Sequence, residues 1–507
     1  MIITLIAATV LAAAPSIDDL QAVAKLPGEP SIVSAVGMTR DDRPILTLEN
    51  RSAFDVDSTK QRVVIYAGAG NEAAASAVLA AVRWFKTQAP RELRDQWSVS
   101  ALPAAAFADG DEKSFVRWST FEAPDLAIEF VDDGSRPIGF GADAHPWVVR
   151  LPQGNETVAS ILRGAKPGRS TVHETIRARV ARDPLTIAKT LAAKYPGTPS
   201  ISYIPSVAWI NTLRLGSMTG EPSWRAKVDR ETAPWRSGEK PLFGDRILLT
   251  AIAGTMVFAD LAASGDAQAR ALADQGAALA MKERTPGVAE YGGGWTDDMF
   301  MAASVLARAG ARGDSQALAT AVRLLKAYAS RLQRPDGLFN HAPDGPAAWG
   351  RGNGFAAFGL METLTVMPAS HPDRAALVDI FRRHLTAARA QVAPDGSWRE
   401  VIDEPASYRE ETATAMLMTA MARGIRLGWL DASYRDTVDR AWRALAAHVA
   451  DDGTVIDVCT STGSGPTKQY YMDRQSITGA DDRGGAMALA AAVEMSELRH
   501  APSVAAQ

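Results

Sequence analysis

The sequence contains a single cysteine, Cys459, among its 507 residues. One thiol cannot form a disulfide within the chain, so internal cross-links are excluded and the redox compartment stays open. Burial is the ordinary expectation for such a lone thiol. The hydrophobic content of 47% is high enough for two or three domains with well-buried cores.

Runs of basic residues are also lacking. The 54 Lys and Arg residues are balanced by 58 Asp and Glu residues, for a formal net charge of −4. Because no basic cluster could follow a phosphate backbone, we expect no nucleic-acid partner. After the first residues, no segment is long and apolar enough to predict a membrane span.

Residues 1–14 form an apolar stretch that ends in small residues, which is typical of a secretory signal. No Lys or Arg precedes the stretch, and Pro15 follows the expected cleavage point, so a buried first strand or helix is the alternative. The signal, where present, predicts a periplasmic or secreted protein.

Short strands and loops dominate residues 24–165, which predict a small α/β domain of unassigned role. Residues 44–48 and 62–66 are compact β-type runs, and residues 73–86 form an alanine-rich amphipathic helix after a glycine turn.

The order of strand, turn and helix in this domain resembles the opening of the zinc carboxypeptidase and deacylase fold. In that fold the turn carries a histidine and, three residues later, a glutamate that bind metal. Glu72 is present here, but Ala69 occupies the histidine position and the first histidine of the chain is His145. A lone carboxylate cannot hold zinc, so no metal site is predicted.

Long helices with small residues follow over residues 172–500, and their connecting turns repeat. Asp336-Gly337, Asp395-Gly396 and Asp452-Gly453 each precede apolar or aromatic residues, at spacings of 59 and 57. Each interval accommodates two helices, so the 329 residues predict roughly six helical hairpins. Six hairpins can close into an (α/α)6 toroid whose loops form a site at one rim, and an open superhelix is the alternative.

The segment Trp349-Gly-Arg351-Gly-Asn-Gly-Phe355 brackets an arginine with two aromatic residues. Aromatic faces bind sugar rings, and a guanidinium can hold a carboxylate through two hydrogen bonds. The glycines would let a ligand approach the backbone closely. These features indicate an acidic sugar, whereas the alternative is a glycine-rich turn that starts a buried helix, with Arg351 in a structural ion pair.

Acidic and basic residues recur near the starts of predicted helices at about the repeat spacing. Asp245 and Asp297 are 52 residues apart, His341 follows 44 residues later, and Arg351 ten residues after that. Helix capping by the aspartates, a satisfied loop histidine and core packing of Trp295 and Trp349 are the structural alternatives. The recurrence on one set of loops favours a carbohydrate site.

Six motifs in order make residues 172–500 resemble the unsaturated glucuronyl and rhamnogalacturonyl hydrolases, glycoside hydrolase families 88 and 105. They are Trp209-Ile-Asn-Thr-Leu-Arg-Leu with Thr219-Gly220, Trp295-Thr-Asp297-Asp-Met-Phe-Met301, Gly-Leu-Phe-Asn-His341, Trp349-Gly-Arg351-Gly-Asn-Gly-Phe355, Tyr408-Arg-Glu410-Glu-Thr-Ala-Thr-Ala-Met416 and Gly484-Gly-Ala-Met-Ala-Leu-Ala490.

The resemblance implies an (α/α)6 enzyme that removes a 4,5-unsaturated uronic acid from lyase-generated oligosaccharides, without cofactor or metal. It implies that Asp297 protonates the vinyl ether and that Asp245 is the second catalytic aspartate. It further implies a substrate-binding set formed by His341, Trp349, Arg351, Phe355, Trp295 and Glu410. The chain has Phe355 where the family usually has tryptophan, and its His341-Ala-Pro-Asp344 differs from the common His-x-Trp-Asp, so the pocket is expected to be more open or of different specificity. Hydrolysis of saturated glucuronides and non-catalytic glycan binding are the competing functions.

Overall fold

The computed structural model describes residues 15–39, 43–50, 54–55, 57–67, 72–103, 112–131, 140, 146–151 and 155–500. The chain divides into two compact units, the first formed by residues 1–180 with 405–408 and the second by residues 181–404 with 409–507. The expected signal at residues 1–14, and Ala69 and His145 of the zinc comparison, lie outside the described residues. The domain limits expected from the sequence, 24–165 and 172–500, stay predictions.

The first unit contains a six-stranded sheet in the order β1-β2-β4-β3-β5-β6. Strands β4, β3, β5 and β6 pair parallel with one another, and β2 pairs antiparallel with both β1 and β4. The strands are β1 (Ser31–Met38), β2 (Pro44–Asn50), β3 (Gln61–Ala67), β4 (Trp97–Leu102), β5 (Leu126–Phe130) and β6 (Trp147–Leu151).

Helices flank this sheet: α1 (Ile17–Ala24), α2 (Glu72–Thr87), α3 (Arg91–Gln96), α4 (Glu112–Glu122), α5 (Asn155–Gly164) and α6 (Thr171–Ala181). Strand β3 is apolar almost throughout because both of its faces are covered. Val63 and Ile65 pack in the cluster that includes α2, whereas Val64 and Tyr66 pack on the other face with Phe115 of α4. The α/β prediction for this region agrees with the sheet and helices observed.

The second unit consists of helices joined by loops and a few very short strands. In chain order the helices are α7 (Pro184–Lys194), α8 (Tyr203–Thr219), α9 (Pro222–Arg236), α10 (Leu249–Ala253), α11 (Met256–Ala263), α12 (Ala267–Ala280), α13 (Thr296–Met301), α14 (Ala303–Ala311), α15 (Ser315–Leu332), α16 (Gly350–Val366), α17 (Arg374–Ala390), α18 (Glu411–Arg426), a 3-10 turn (Ala432–Tyr434), α19 (Arg435–His448), α20 (Lys468–Met472) and α21 (Asp482–His500). The short strands are β7 (Glu283–Thr285), β8 (Val288–Ala289), β9 (Val458–Cys459) and β10 (Ser476–Ile477). Within the described ranges, no helix combines the length and apolarity needed to cross a membrane.

Six inner positions in this unit form a closed ring of helices: α8, α10 with α11, α13 with α14, α16, α18 and α21. Each position packs on the next, and α21 packs on α8, so the arrangement is a ring and not an open superhelix. Outer helices separate successive inner helices along the chain, so all inner helices run in the same direction. Helices α16 and α18 are buried along most of their length because they have neighbours on nearly every side.

The three Asp-Gly turns that revealed the repeat share one geometry. Gly337, Gly396 and Gly453 have φ values of 98°, 106° and 81°, a left-handed conformation that favours glycine. The aspartate before each glycine accepts a hydrogen bond from the backbone N–H two residues further on, at 3.0, 3.0 and 2.9 Å. Sequence and conformation therefore repeat together.

The C-terminal halves of the inner helices carry side chains of alternating charge that form ion pairs around the ring. Going round the ring, the inner positions contribute, in order, the ionic side chains of Asp260, Arg308, Glu362, Arg423, Glu494 and Arg214. Consecutive members from Asp260 to Arg214 are joined by N···O contacts of 3.1, 2.7, 2.8, 2.9 and 2.6 Å. A cavity of about 480 Å³ lies beside this charged ring, with Phe300 and Phe358 in its wall.

Candidate functional site

The N-termini of the inner helices lie at the opposite end of the ring from this cavity. Three of them are linked by the same backbone hydrogen bond, in which the start of one inner helix donates to the loop that precedes the next. Thr296 donates to His341 at 2.9 Å, Gly350 to Glu400 at 2.6 Å, and Glu411 to Asp457 at 3.0 Å. Several helix dipoles therefore present their positive ends together, which favours an anionic ligand there.

Asp297 and Asp298 begin α13 but occupy different environments. The Asp297 side chain is 20% exposed and faces this end of the ring. Asp298 is buried, and its carboxylate accepts hydrogen bonds from the Tyr328 hydroxyl at 2.6 Å and the Gly294 N–H at 2.7 Å. Burial raises the pKa of Asp298 to about 6. Asp298 holds the preceding loop, which leaves Asp297 as the accessible acid.

His341 pairs with Asp297 and is itself fully buried. The distance from His341 Nε2 to Asp297 Oδ2 is 3.1 Å, and the other ring nitrogen, Nδ1, lies 3.0 Å from the Tyr471 hydroxyl. Trp295, which is partly exposed, lies with its ring centroid 5.2 Å from that of His341. The structure thus brings together three of the side chains predicted from the sequence and adds Tyr471.

Trp349 and Phe355 lie behind this accessible group. Their exposed fractions are 2% and 1%. The Trp349 indole N–H donates to Glu400 at 2.9 Å, and Phe355 stacks on Phe300 with ring centroids 5.9 Å apart. Their contact with a sugar ring stays a prediction, because in this conformation both rings pack against protein atoms.

Arg351 is also enclosed, in the first turn of α16. Its guanidinium donates to the Cys459 carbonyl at 2.9 Å and lies 4.9 Å from the centre of the Trp349 ring. The glycines of the segment fit close helix packing: a Cβ on Gly350 would lie 2.3 Å from the Arg399 carbonyl oxygen, and one on Gly354 would lie 2.9 Å from Met416. The expectation that they clear space for a ligand is therefore wrong for these two positions, since protein atoms already fill that space.

Glu410 is the N-cap of α18 and is fully buried. Its carboxylate accepts hydrogen bonds from the backbone N–H groups of Thr412, Ala413 and Cys459, at 3.0, 2.7 and 2.9 Å. These bonds satisfy the free N–H groups at the start of α18 and hold the segment whose Cys459 carbonyl accepts a hydrogen bond from Arg351. A direct contact of Glu410 with substrate stays a prediction.

Asp245 stands apart from these residues. It is exposed in a loop, and the helix expected to start there begins four residues later, at Leu249. Its side chain makes no hydrogen bond or ion pair with the part of the chain that the structure describes. Its role as the second aspartate stays a prediction.

Three residues of this region were not singled out from the sequence. Tyr471 contacts His341 across 130 positions of chain, Glu400 receives the Trp349 N–H, and Tyr203 packs on Phe355 with centroids 5.5 Å apart. The segment before α21, with glycines at 463 and 465 and two adjacent tyrosines, was the available signal for Tyr471. Over the described residues, no group of three or more His, Cys, Asp or Glu side chains is arranged to hold a metal ion.

Part of the second unit matches a known protein family. Residues 250–499 match the family described as Glycosyl Hydrolase Family 88. The unsaturated 3S-rhamnoglycuronyl hydrolase of Alteromonas sp. is 29% identical over 113 residues, which cover 22% of this chain and 27% of that protein. The unsaturated rhamnogalacturonyl hydrolase YesR of Bacillus subtilis is 27% identical over 177 residues, which cover 33% of this chain and 50% of that protein.

The chain thus spans at most half the length of these two curated relatives. Among solved structures, a family 105 glycoside hydrolase from C. acetobutylicum is similar with a TM-score of 0.56 at 18% identity, covering 62% of this chain and 99% of that one. At this identity the likeness concerns the fold alone, and it agrees with the ring of helical hairpins described above.

Proposed function

We propose, from the premise that residues 250–499 belong to Glycosyl Hydrolase Family 88, that this protein is a glycoside hydrolase of unsaturated uronyl oligosaccharides. It removes a 4,5-unsaturated uronic acid from the non-reducing end of chains that a polysaccharide lyase has cut. The names of the two curated relatives, both unsaturated uronyl-type hydrolases, support this substrate class.

One observation carries the proposal: an accessible carboxyl group, Asp297, is paired with the buried His341 where inner-helix N-termini converge. In the mechanism implied by the family resemblance, Asp297 protonates C4 of the vinyl ether, water adds at C5, and the resulting hemiketal collapses. The acid regains a proton from the attacking water, so no net proton is consumed. A positioned proton transfer of this kind contributes about 10²- to 10⁴-fold to the rate.

Two features favour binding of the anionic end of the substrate at the N-terminal end of the helical ring. A uronate carboxylate is stabilised by the positive ends of the inner helices, and Trp295 offers a partly exposed aromatic face beside the acid. We assign Arg351, Trp349, Phe355 and Glu410 to the wall behind that face; direct ligand contact would require the wall to open.

We assign Asp245 as the second catalytic carboxylate of the site. Its exposed loop precedes α10, whose helical neighbour α13 carries Asp297. Because its carboxylate has no partner among the described residues, it is available to bind the water or a substrate hydroxyl once the substrate orders the loop. An exported, periplasmic or secreted location is part of the proposal, and cell fractionation tests it.

The function is tested by incubating the protein with lyase products of pectin, ulvan, alginate and glycosaminoglycans, and with the corresponding saturated glucuronides. Loss of the C4=C5 absorbance together with release of the uronic acid is the expected result. Release of saturated glucuronic acid without absorbance loss would favour direct hydrolysis between two carboxylates. Binding without turnover would favour a glycan-binding protein.

A further inference from the structure

The Tyr471 hydroxyl is the sole polar neighbour found for His341 Nδ1 in the part of the chain that the structure describes. The distance is 3.0 Å, and both side chains are fully buried. On the opposite side of the imidazole, Nε2 faces Asp297 Oδ2 at 3.1 Å. The three groups form a line from Tyr471 in α20, through His341, to the accessible acid.

The imidazole has little freedom to leave this line. Its ring is edge-on to Trp349 and to Tyr471, with centroids 4.6 and 5.5 Å apart. Its backbone is fixed as well, because the His341 N–H donates to Ala347 and its carbonyl accepts from Thr296, both at 2.9 Å. The second of these bonds ties His341 to the first turn of α13, beside Asp297.

Tyr471 can donate its single hydroxyl proton to His341 at this contact. Its oxygen already accepts a hydrogen bond from the Gly465 N–H at 3.3 Å. Burial raises the pKa of Tyr471, so the phenol keeps its proton over the working pH range. The hydroxyl of the neighbouring Ser464 donates to the Asp344 carboxylate at 2.5 Å, which anchors the loop.

The direction of these hydrogen bonds decides where the acidic proton lies on Asp297. If Tyr471 donates to Nδ1, His341 carries its proton on Nε2 and donates to Asp297 Oδ2. Oδ2 then acts as an acceptor, and the proton of the carboxylic acid must lie on Oδ1. In the other tautomer Nε2 would accept, and the acid proton would be held on Oδ2 by His341, away from the substrate.

We propose that Tyr471 is a positioning residue: by fixing the Nε2–H tautomer of His341, it places the proton of Asp297 on the oxygen that faces the substrate. The part of this inference that concerns turnover rests on the proposed function. The part that concerns the tautomer does not, since it is a property of the free protein. An orienting group of this kind acts on another catalytic residue without touching the reacting atoms.

The kinetic test compares Tyr471→Phe with Tyr470→Phe. Both changes remove a phenol oxygen that accepts from a backbone N–H, Gly465 for Tyr471 and Gly463 for Tyr470, but only Tyr471 contacts His341. We expect kcat to fall about 10- to 100-fold in Tyr471→Phe with KM changed less than about twofold. Tyr470→Phe should keep both constants near those of the wild type. Equal kcat values for the two variants would overturn the proposal.

The second test reads the tautomer by ¹⁵N NMR of the imidazole nitrogens in histidine-labelled protein, with the His341→Gln protein used to assign the signal. The wild type should show the Nε2–H form alone, and Tyr471→Phe should show both tautomers. An Nδ1–H form of His341 in the wild type refutes the inference even if Tyr471→Phe does not fold. If the protein turns over no unsaturated uronide but shows the expected tautomers, the proposed function fails and the tautomer assignment stands.

Discussion

The charged ring at the C-terminal ends of the inner helices makes a quantitative prediction for Glu494→Gln. Glu494 is fully buried and contacts three arginines, with N···O distances of 2.6 Å to Arg214, 2.9 Å to Arg423 and 2.7 Å to Arg426. Burial alone would raise its pKa, but these arginines lower it from 4.5 to about 2. The amide keeps the shape of the side chain and removes its charge.

The depressed pKa sets the size and the pH range of the effect. A folded-state pKa below the unfolded value stabilises the fold above about pH 4.5, and this contribution is lost as the pH falls towards 2. At about 1.4 kcal/mol per pKa unit, the shift corresponds to roughly 3 kcal/mol at pH 7. Removal of one partner from a buried ion pair costs about 3–5 kcal/mol, so the two approaches agree.

Glu497→Gln is the matched control. Glu497 contacts two of the same arginines, Arg214 at 2.9 Å and Arg426 at 2.8 Å, but its side chain is 24% exposed. A partly exposed pair contributes less than about 1 kcal/mol. Urea unfolding at pH 7, followed by the helical circular dichroism signal, should give a free-energy loss at least twice as large for Glu494→Gln. Equal losses in the two variants would refute the idea that burial makes this ring a major source of stability.

Three other substitutions have defined outcomes. Asp297→Asn should lower kcat about 10²- to 10⁴-fold and leave the melting temperature unchanged. Asp298→Asn should mainly lower the melting temperature, because it weakens buried hydrogen bonds. The reverse pattern would indicate that Asp298 is the catalytic acid. Burial, followed by the neighbouring carboxylate of Glu410, raises the pKa of Glu400 to about 8. The free energy of unfolding of the wild type, relative to that of Glu400→Gln, should therefore fall by about 1.4 kcal/mol per pH unit between pH 4.5 and 8. A difference between the two proteins that is the same at pH 5 and pH 8 would contradict this. Gly350→Ala should lower the melting temperature, because the new Cβ would meet the Arg399 carbonyl at 2.3 Å, and an unchanged transition would argue against the close packing of α16.

Local conformational rules explain why the helical hairpins could be predicted from the sequence. The Asp-Gly turns need a residue that tolerates positive φ and an acceptor for a nearby N–H, and both requirements are visible as residue types. Gly337, Gly396 and Gly453 therefore revealed the repeat length. The start of α10 was misjudged because Asp245 suggested a helix cap, whereas the helix begins at Leu249.

How deeply the predicted site residues are buried could not be predicted from their residue types. Trp349, Arg351 and Phe355 suit a sugar-binding wall, but they suit a buried helix start equally well, and the structure encloses all three. Burial depends on what the neighbouring loops place over a segment. Here the loop containing Glu400 and the strand containing Cys459 supply the partners of Trp349 and Arg351.

Contacts between residues far apart in the chain could not be predicted from the sequence either. His341 and Tyr471 are 130 residues apart, and Arg214 and Glu494 are 280 apart. Neither pair lies within a single motif. Closure of the helical ring brings α8 and α21 together and so joins Arg214 to Glu494, whereas His341 meets Tyr471 because the loop before α16 packs against α20. The proposed acid, Asp297, could be predicted because it holds the third position of the Trp-x-Asp motif in the family resemblance.

The most direct test of the proposed function follows the absorbance of the C4=C5 double bond during incubation of lyase-generated oligosaccharides with the wild type and with Asp297→Asn. We predict that the wild type abolishes the absorbance in a one-to-one ratio with release of the uronic acid, and that Asp297→Asn does so at least about 100-fold more slowly. Release of uronic acid while the double bond persists, or equal rates for the two proteins, would contradict Asp297-catalysed hydration.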